Sequence, residues 1–161
     1  MPKLPHIRVR NSGIVLLKKF NNRRGGGNLF VPESVAKAGL HLPIAGSRRT
    51  FLAQRFFFIQ GVTDMHSRRA NHAHRNTSEV IFCVQGSCTL SLHDGQAKQR
   101  ITLRDPSIGI IHGPDLWHSI SRFSKDCVLL AFADSPVYEP GEYISDYQEF
   151  IQLISSVKKK R

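Results

Sequence analysis

The chain of 161 residues is the length of one domain, and such a chain can bury about 70 % of its unfolded surface in a single core. Its hydrophobic content of 40 % is ordinary for a soluble protein, and no apolar run approaches the roughly 20 residues that a membrane helix needs. The N-terminus lacks the apolar region and cleavage site of a signal peptide. We therefore expect a single-domain cytoplasmic protein with no membrane partner.

The net charge of +11 comes from the two ends of the chain. Residues 25–157 carry 12 acidic and 12 basic side chains, whereas seven basic residues precede this segment and four follow it. Terminal clusters of this kind are typical of solvated tails, and no nucleic-acid recognition motif accompanies them. We predict a basic N-terminal segment 1–24, a folded domain 25–157 and a basic tail 158–161, with no specific nucleic-acid partner.

Short strand patterns recur along most of the chain. Turn signals separate them, including a glycine-rich turn at 21–27 and Asp94-Gly95, which favours a tight hairpin. Residues 32–46 are expected to be a loop or short helix, and only 147–154 show helical periodicity. This pattern predicts an all-β sandwich or barrel with one C-terminal helix packed on it. The predicted strands are 14–20, 28–31, 55–61, the stretch around His72, 79–84, 87–93, 99–103, 109–112, 117–120 and 127–133.

The three cysteines are Cys83, Cys88 and Cys127, and each falls inside an apolar strand pattern. An odd number of cysteines argues against a disulfide framework. We therefore expect all three to be small buried side chains with free thiols.

The stretch 69–75 holds the strongest chemical signal. Successive side chains of a strand alternate between its faces, so His72 and His74 project the same way, about 6 to 7 Å apart. The next four residues are polar and turn-prone, and we expect a hairpin that returns Glu79 beside both histidines. A closed barrel would bring His118 to the same cavity. Imidazoles grouped in this way are unusual as core filling, so they predict a functional site.

The order and spacing of these residues resemble the paired motifs of the cupin superfamily, whose fold is a double-stranded β-helix. More narrowly, the chain resembles the nucleotide-sugar 3,4-ketoisomerases, also called WxcM-like cupins. The resemblance implies an all-β cupin jelly-roll barrel with a short C-terminal helix, and a homodimer. The matching pieces are 55–59, 69–75, 80–86, 94–95, 113–118, 123–127 and 142–150.

The activity that the resemblance implies moves the ketone of dTDP-4-keto-6-deoxyglucose from C4 to C3 without a cofactor, on the way to deoxyamino sugars of surface polysaccharides such as O-antigen. This shift needs a base at C3 and an acid at C4, and histidine suits both because it titrates near neutral pH. The resemblance assigns that work to His72 and His74. The expected substrate-binding residues are Arg55, Arg69, Asn71, Glu79, Trp117 and His118.

Five positions depart from the family pattern. Phenylalanines occupy 56–58, where tyrosines are usual, Ala70 replaces the usual glycine, and Glu79 replaces a common glutamine. Glu79 supplies a carboxylate, so a second hypothesis is a metal-dependent cupin enzyme that binds Fe, Mn, Ni or Zn. The loss of the tyrosines favours a third hypothesis, a cupin that binds a nucleotide sugar without turning it over. The ligands in the metal hypothesis are His72, His74, Glu79 and His118.

Overall fold

The computed structural model describes residues 4–16, 18–21, 28–31, 34–36, 39–62, 66–136 and 139–158. Within this part of the chain, most residues lie in strands, one helix follows them, and no helix is long and apolar enough to cross a membrane. The elements are β1 (Ser12–Leu16), β2 (Lys18–Asn21), β3 (Asn28–Val31), β4 (Ser34–Ala36), β5 (Gly39–Pro43), β6 (Thr50–Ala53), β7 (Arg55–Ile59), β8 (Arg69–His74), β9 (Glu79–Gln85), β10 (Cys88–His93), β11 (Lys98–Leu103), β12 (Ile108–His112), β13 (Trp117–Ser121), β14 (Val128–Ala133), β15 (Tyr143–Ile144) and α1 (Tyr147–Lys158).

Two five-stranded antiparallel sheets form the barrel, with strand orders β1-β12-β9-β14-β7 and β11-β10-β13-β8-β15. The main core draws side chains from both sheets, so the two sheets face each other across it. The predicted all-β jelly roll with a C-terminal helix is therefore confirmed, as is the hairpin of β10 and β11 around Asp94-Gly95. Core residues include Leu90, Leu92, Ile101, Ile110 and Leu129.

The strand β9 is buried on both faces. Ile81 and Cys83 belong to the core inside the barrel, whereas Val80 and Phe82 belong to a second core shared with β5 and β6. Glu79 lies on the same face as Ile81, because alternate residues of a strand share a face. A strand covered on both faces needs a nearly continuous apolar run, which the sequence of β9 supplies. Glu79 is therefore a charged group at the start of an otherwise apolar strand.

Two predictions about the chain path are wrong. Residues 32–46 contribute β4 and β5, which form a separate small sheet with β6 in the order β4-β5-β6. The strands β8 and β9 do not form a hairpin, because β9 pairs with β12 and β14 while β8 pairs with β13 and β15. Residues 75–78 instead carry the chain from one sheet to the other. Glu79 still returns to the histidines, because the sheets face each other.

Both predicted basic segments include residues that belong to the folded domain. The strand β1 lies within the predicted 1–24 segment, and it pairs with β12 as part of the first barrel sheet. The helix α1 ends at Lys158, the first residue of the predicted basic tail. Residues 22–27 of the predicted glycine-rich turn and residues 159–161 lie outside the described residues.

A β-bulge in β8 sets the direction of its histidines. Ala70 and Asn71 have positive φ angles of 61° and 63°, and the pairing of β8 with β13 shifts between His118 and Ser119. Beyond this shift His72 is the direct partner of His118. Bulges turn side chains toward a new direction next to functional sites, and this one places an imidazole from each strand at the same level of the barrel.

The helix α1 covers the outer face of the second sheet. Phe150 and Ile154 are buried in a cluster with Trp117 of β13, and Tyr147 and Ile151 pack at its edge. The four residues of the predicted helical stripe therefore all face the sheet, and that prediction is confirmed.

Candidate functional site

The barrel holds a cavity of about 490 Å³ lined by strands of both sheets. Most of its wall is apolar, with Ile81, Leu129 and Ala131 among the lining residues. Small-molecule sites combine such walls with a few polar groups that orient the ligand. The polar side chains at this cavity are Arg55, His72, Glu79, His118 and Tyr143.

Four imidazoles and one carboxylate form a cluster beside this cavity. His72 Nε2 lies 3.3 Å from His74 Nε2, and His74 Nε2 lies 3.7 Å from Glu79 Oε2. His112 Nε2 lies 3.3 Å from the same Glu79 oxygen. The ring of His118 stacks on that of His74, with 5.3 Å between centroids and 9° between planes. The cluster therefore extends from the cavity wall into the interior of the barrel.

The imidazoles differ in their access to the cavity. His72 and His118 line it, whereas His74 and His112 are buried and are not among its lining residues. The predicted pair thus shares a face of β8, but its two members are not equivalent. His72 lies at the cavity wall, whereas His74 contacts His72 and Glu79 behind it.

Burial keeps the cavity-facing imidazoles neutral. Desolvation, with a smaller contribution from His74, lowers the pKa of His72 to about 4, and desolvation lowers the pKa of His118 well below its usual range. Desolvation alone would raise the pKa of Glu79, but the adjacent imidazoles of His112 and His74 hold it below its ordinary value. At neutral pH the cavity thus presents proton-accepting imidazoles beside an anionic carboxylate.

Glu142 supports this cluster from behind. Its Oε1 accepts hydrogen bonds from the backbone N–H groups of Asn76, at 2.9 Å, and Thr77, at 2.6 Å. The same oxygen lies 3.8 Å from His74 Nδ1. Glu142 therefore fixes the segment that connects β8 to β9, and it also contacts the buried His74. No local sequence signal identifies it, because its partners lie 65 residues earlier in the chain or further.

Half of the six predicted substrate-binding residues lie at the cavity. Arg55, Glu79 and His118 line it, whereas Asn71 and Trp117 line a groove on the outer face of the second sheet. Arg69 is exposed, and its Nη1 donates to the carbonyl of Arg68 at 3.2 Å. Trp117 precedes His118 on β13 and therefore faces the other way, under α1. The prediction that Trp117 meets the substrate is not supported by this position.

The aromatic residues of the cavity were only partly predicted. Of the three phenylalanines of β7, Phe57 lines the cavity, whereas Phe56 and Phe58 have exposed fractions of 68 % and 61 %. Tyr143 of β15 brings a phenol to the cavity, and its ring centroid lies 4.4 Å from that of His72. Sequence reasoning missed this residue, although it falls in the family-like piece 142–150. The cavity therefore has a tyrosine, supplied by a different strand from the expected one.

Four side chains of the cluster could hold a metal ion. Ligand atoms of His74, Glu79, His112 and His118 all lie within 4.8 Å of one another, whereas the sequence hypothesis named His72 in place of His112. Three imidazoles and a carboxylate suit first-row metals such as Zn, Mn, Fe or Ni. His74 Nδ1, His118 Nδ1 and both ring nitrogens of His112 are buried without a hydrogen-bond partner among the described residues. The donor set therefore fits a metal ion.

Comparisons with known proteins show the family to which the chain belongs. The sequence matches the FdtA family, described as WxcM-like, C-terminal, over residues 13–155. It is 35 % identical over 111 residues to the TDP-4-oxo-6-deoxy-alpha-D-glucose-3,4-oxoisomerase of Aneurinibacillus thermoaerophilus, covering 69 % of this chain and 78 % of that protein.

Solved structures extend the similarity to nearly the whole fold. A variant of the 3,4-ketoisomerase QdtA from Thermoanaerobacterium thermosaccharolyticum, in complex with TDP-4-keto-6-deoxyglucose, matches with a TM-score of 0.75 and 26 % identity over 92 % of this chain and 97 % of that chain. WlaRA, a TDP-fucose-3,4-ketoisomerase from Campylobacter jejuni, matches with a TM-score of 0.73 and 28 % identity over 92 % of this chain and 98 % of that chain.

Proposed function

This chain belongs to the FdtA family of WxcM-like proteins, and from that premise we propose that it is a sugar 3,4-ketoisomerase acting on a TDP-linked 4-keto-6-deoxyhexose. The observation that carries the proposal is the cavity in which His72 and His118 meet Arg55 and Tyr143. Its volume of about 490 Å³ lies within the range of small-molecule sites. The 3-keto product would then serve the synthesis of deoxyamino sugars.

The reaction needs one proton to leave C3 and one to arrive at C4, while the hydroxyl proton passes from the C3 oxygen to the C4 oxygen. His72 is neutral at pH 7 because its pKa is about 4, so it can take the C3 proton. The imidazolium formed in this way returns a proton to C4. No atom is gained or lost, so the balanced reaction requires no oxidant or reductant.

The enediolate between these two proton transfers carries a negative charge that the cavity must stabilise. The guanidinium of Arg55 lines the cavity and supplies positive charge toward the enediolate or the pyrophosphate. Tyr143 adds a phenol close to His72. His74 and Glu79 are positioning residues in this proposal, because they orient His72 and balance the positive charge that it gains.

The test is turnover of TDP-4-keto-6-deoxyglucose by the full chain and by His72→Asn. We expect kcat to fall by about 10²- to 10⁴-fold, the usual contribution of a positioned acid or base, while TDP binding is retained. The matched control is His6→Asn, which replaces an exposed histidine on the N-terminal segment. Full turnover by His72→Asn would contradict the mechanism. Binding of TDP by the wild-type protein without turnover would instead favour the hypothesis of a non-catalytic binding protein.

The buried imidazole nitrogens without hydrogen-bond partners favour a second candidate, a metal-dependent cupin enzyme. His74, Glu79, His112 and His118 would hold the ion, which would supply Lewis-acid stabilisation of a carbonyl oxygen. Elemental analysis of protein purified without added metal or an affinity tag separates the candidates. A negligible metal content, together with isomerisation that continues in the presence of a chelator, supports the cofactor-free mechanism. About one metal per chain, lost together with activity in Glu79→Gln, supports the metal enzyme.

We also propose that the protein is a homodimer in which a second copy covers the outer face of β7. This strand ends its sheet, and it exposes Phe56 and Phe58 at 68 % and 61 %. Light scattering of the full chain tests the proposal, with a dimer mass expected. Phe56→Ser combined with Phe58→Ser should yield monomers, whereas Val84→Ser, at a hydrophobic residue exposed at 40 %, should not. A monomeric wild-type protein would contradict it.

The cytoplasm is the proposed compartment. Cys83, Cys88 and Cys127 are free thiols, as expected in a reducing compartment. Fractionation of the source cells followed by immunodetection of the protein would test this location.

A further inference from the structure

The three cysteines meet at one point of the barrel interior. Cys83 lies near the end of β9, Cys88 begins β10, and Cys127 immediately precedes β14. Their exposed fractions are 1 %, 1 % and 4 %. The three sulfur atoms all lie within 4.8 Å of one another, so two consecutive strands and a residue 44 positions after Cys83 deliver three thiols to one position.

The spacing of the sulfurs suits a shared metal ion. Cys83 Sγ lies 3.8 Å from Cys127 Sγ. Two thiolates bound to one Zn²⁺ at about 2.3 Å in tetrahedral geometry are also separated by about 3.8 Å. The Cys88 sulfur lies within 4.8 Å of both the Cys83 and the Cys127 sulfur. The Cys83 and Cys127 sulfurs are not joined in a disulfide, in which they would be separated by about 2.05 Å.

This cluster is separate from the histidine site. Glu79, Ile81 and Cys83 are alternate residues of β9, so Cys83 lies about 13 Å along the strand from Glu79. Ile81 and Leu129 line the cavity, and Leu129 is the strand partner of Cys83. The thiols therefore lie beyond an apolar layer that closes the cavity on their side.

Two interlocked turns hold the cysteines in place. The backbone N–H of Ser87 donates to Ser124 Oγ at 2.8 Å, and the N–H of Ser124 donates back to the carbonyl of Ser87 at 2.8 Å. Cys127 N–H donates to the carbonyl of Ser124 at 3.0 Å. Gly86 has a φ of 68°, and a Cβ there would collide with the Ser124 side chain. The turns thus fix the thiol positions just below a surface that exposes Gln85 and Asp126.

Thiolate is the form of cysteine that binds metals, so a cation that binds at the three sulfurs displaces their thiol protons.

From this geometry we propose that Cys83, Cys88 and Cys127 form a binding site for a thiophilic divalent cation such as Zn²⁺ or Cd²⁺. Binding replaces three S–H bonds by three metal–sulfur bonds, releases up to three protons and changes no oxidation state. Thiolates select soft and borderline metals over Mg²⁺ and Ca²⁺. The fourth position would be left to water. Such a site would join β9, β10 and β14 at the end of the core away from Glu79.

The test is titration of the reduced, metal-free full chain with Cd²⁺ without oxygen, monitored by the ultraviolet thiolate-to-metal charge-transfer band. We expect saturation at about one equivalent, release of protons and an increase in thermal stability. Glu79→Gln should retain the band, because imidazole and carboxylate ligands do not produce it. Cys88→Ser should lose most of the charge-transfer band and bind Cd²⁺ at least about tenfold more weakly. Cys83→Ala should show the same two losses.

Circular dichroism checks the folding of each variant. Thiol alkylation of the wild-type protein tests the proposal without a substitution. In the wild type, bound Cd²⁺ should protect all three thiols from alkylation, and a chelator should reverse this protection. Absence of the charge-transfer band in a fully reduced wild type would overturn the proposal. A band that persists in both cysteine variants, or oxidation of Cys83 and Cys127 to a disulfide in place of binding, would also overturn it.

Discussion

His112 Nε2 lies 3.3 Å from Glu79 Oε2 in the interior of the barrel, where the two residues have exposed fractions of 0 % and 4 %. Their strands are adjacent, and the two residues are direct partners in the pairing of β12 with β9. A buried carboxylate is costly without a partner. His112 is the nearer of the two imidazoles that contact this carboxylate oxygen, since His74 lies at 3.7 Å. The pair therefore holds an anion beside the histidines that line the cavity.

Replacing His112 by leucine should destabilise the protein by about 3 kcal/mol, because the Glu79 carboxylate stays buried without its nearest partner. Urea unfolding measures the change. The double variant with Glu79→Gln should lose less than the sum of the two single variants, because the charge is then absent. Exposed His6→Leu serves as the control and should be nearly neutral. Strict additivity would show that the two residues do not interact.

The pH dependence of kcat/KM should reflect the lowered pKa of His72. Protonated His72 cannot accept the C3 proton, so activity should decline as the pH falls through about 4, not through 6.5. The unfolded chain has the higher histidine pKa, so it binds protons first and stability should also decline as the pH falls below about 6.5. Activity must therefore be measured with the folded fraction monitored at each pH. An acidic limb near 6.5 in fully folded protein would contradict this assignment.

Ala70→Gly should stabilise the fold by about 1 kcal/mol. Ala70 has a φ of 61° in the bulge of β8, and this region costs a residue with a Cβ about 1–2 kcal/mol that glycine does not incur. Guanidinium unfolding measures the gain. Ala73→Gly, at a fully buried position of the same strand with no positive φ, should instead destabilise the protein. A loss of stability in Ala70→Gly would show that the methyl group contributes more than the strain costs.

Glu142→Ala should cost about 2–3 kcal/mol and also reduce kcat. The substitution leaves the backbone N–H groups of Asn76 and Thr77 without their acceptor, and it removes the carboxylate near His74. Glu142→Gln keeps one acceptor oxygen, so it should recover most of the stability. If kcat recovers less than stability does, the negative charge near His74 has its own role. Unchanged unfolding of Glu142→Ala would contradict the structural role.

Much of the barrel could be predicted because strand patterns and turn residues are local. The run of β9, the alternation of β10 and the stripe of α1 each indicate their own buried face. The pairing of strands was harder to predict, because the residue types at 75–78 do not indicate whether the chain turns back in a hairpin or crosses to the other sheet. The strands β4 and β5 were missed because their hydrogen bonds come from each other and from β6.

The sequence by itself determined that His72 and His74 share a strand face and that three cysteines are buried, because both properties follow from residue type and a period of two. Only the tertiary structure decided that His112 and Tyr143 lie at the site and that Trp117 lies outside the cavity. It also decided that the three thiols lie close together. Those contacts join segments far apart in the chain, and they depend on strand register, on the bulge at Asn71 and on the facing of two sheets. Register and facing are properties of the packed barrel, so no local pattern specifies them.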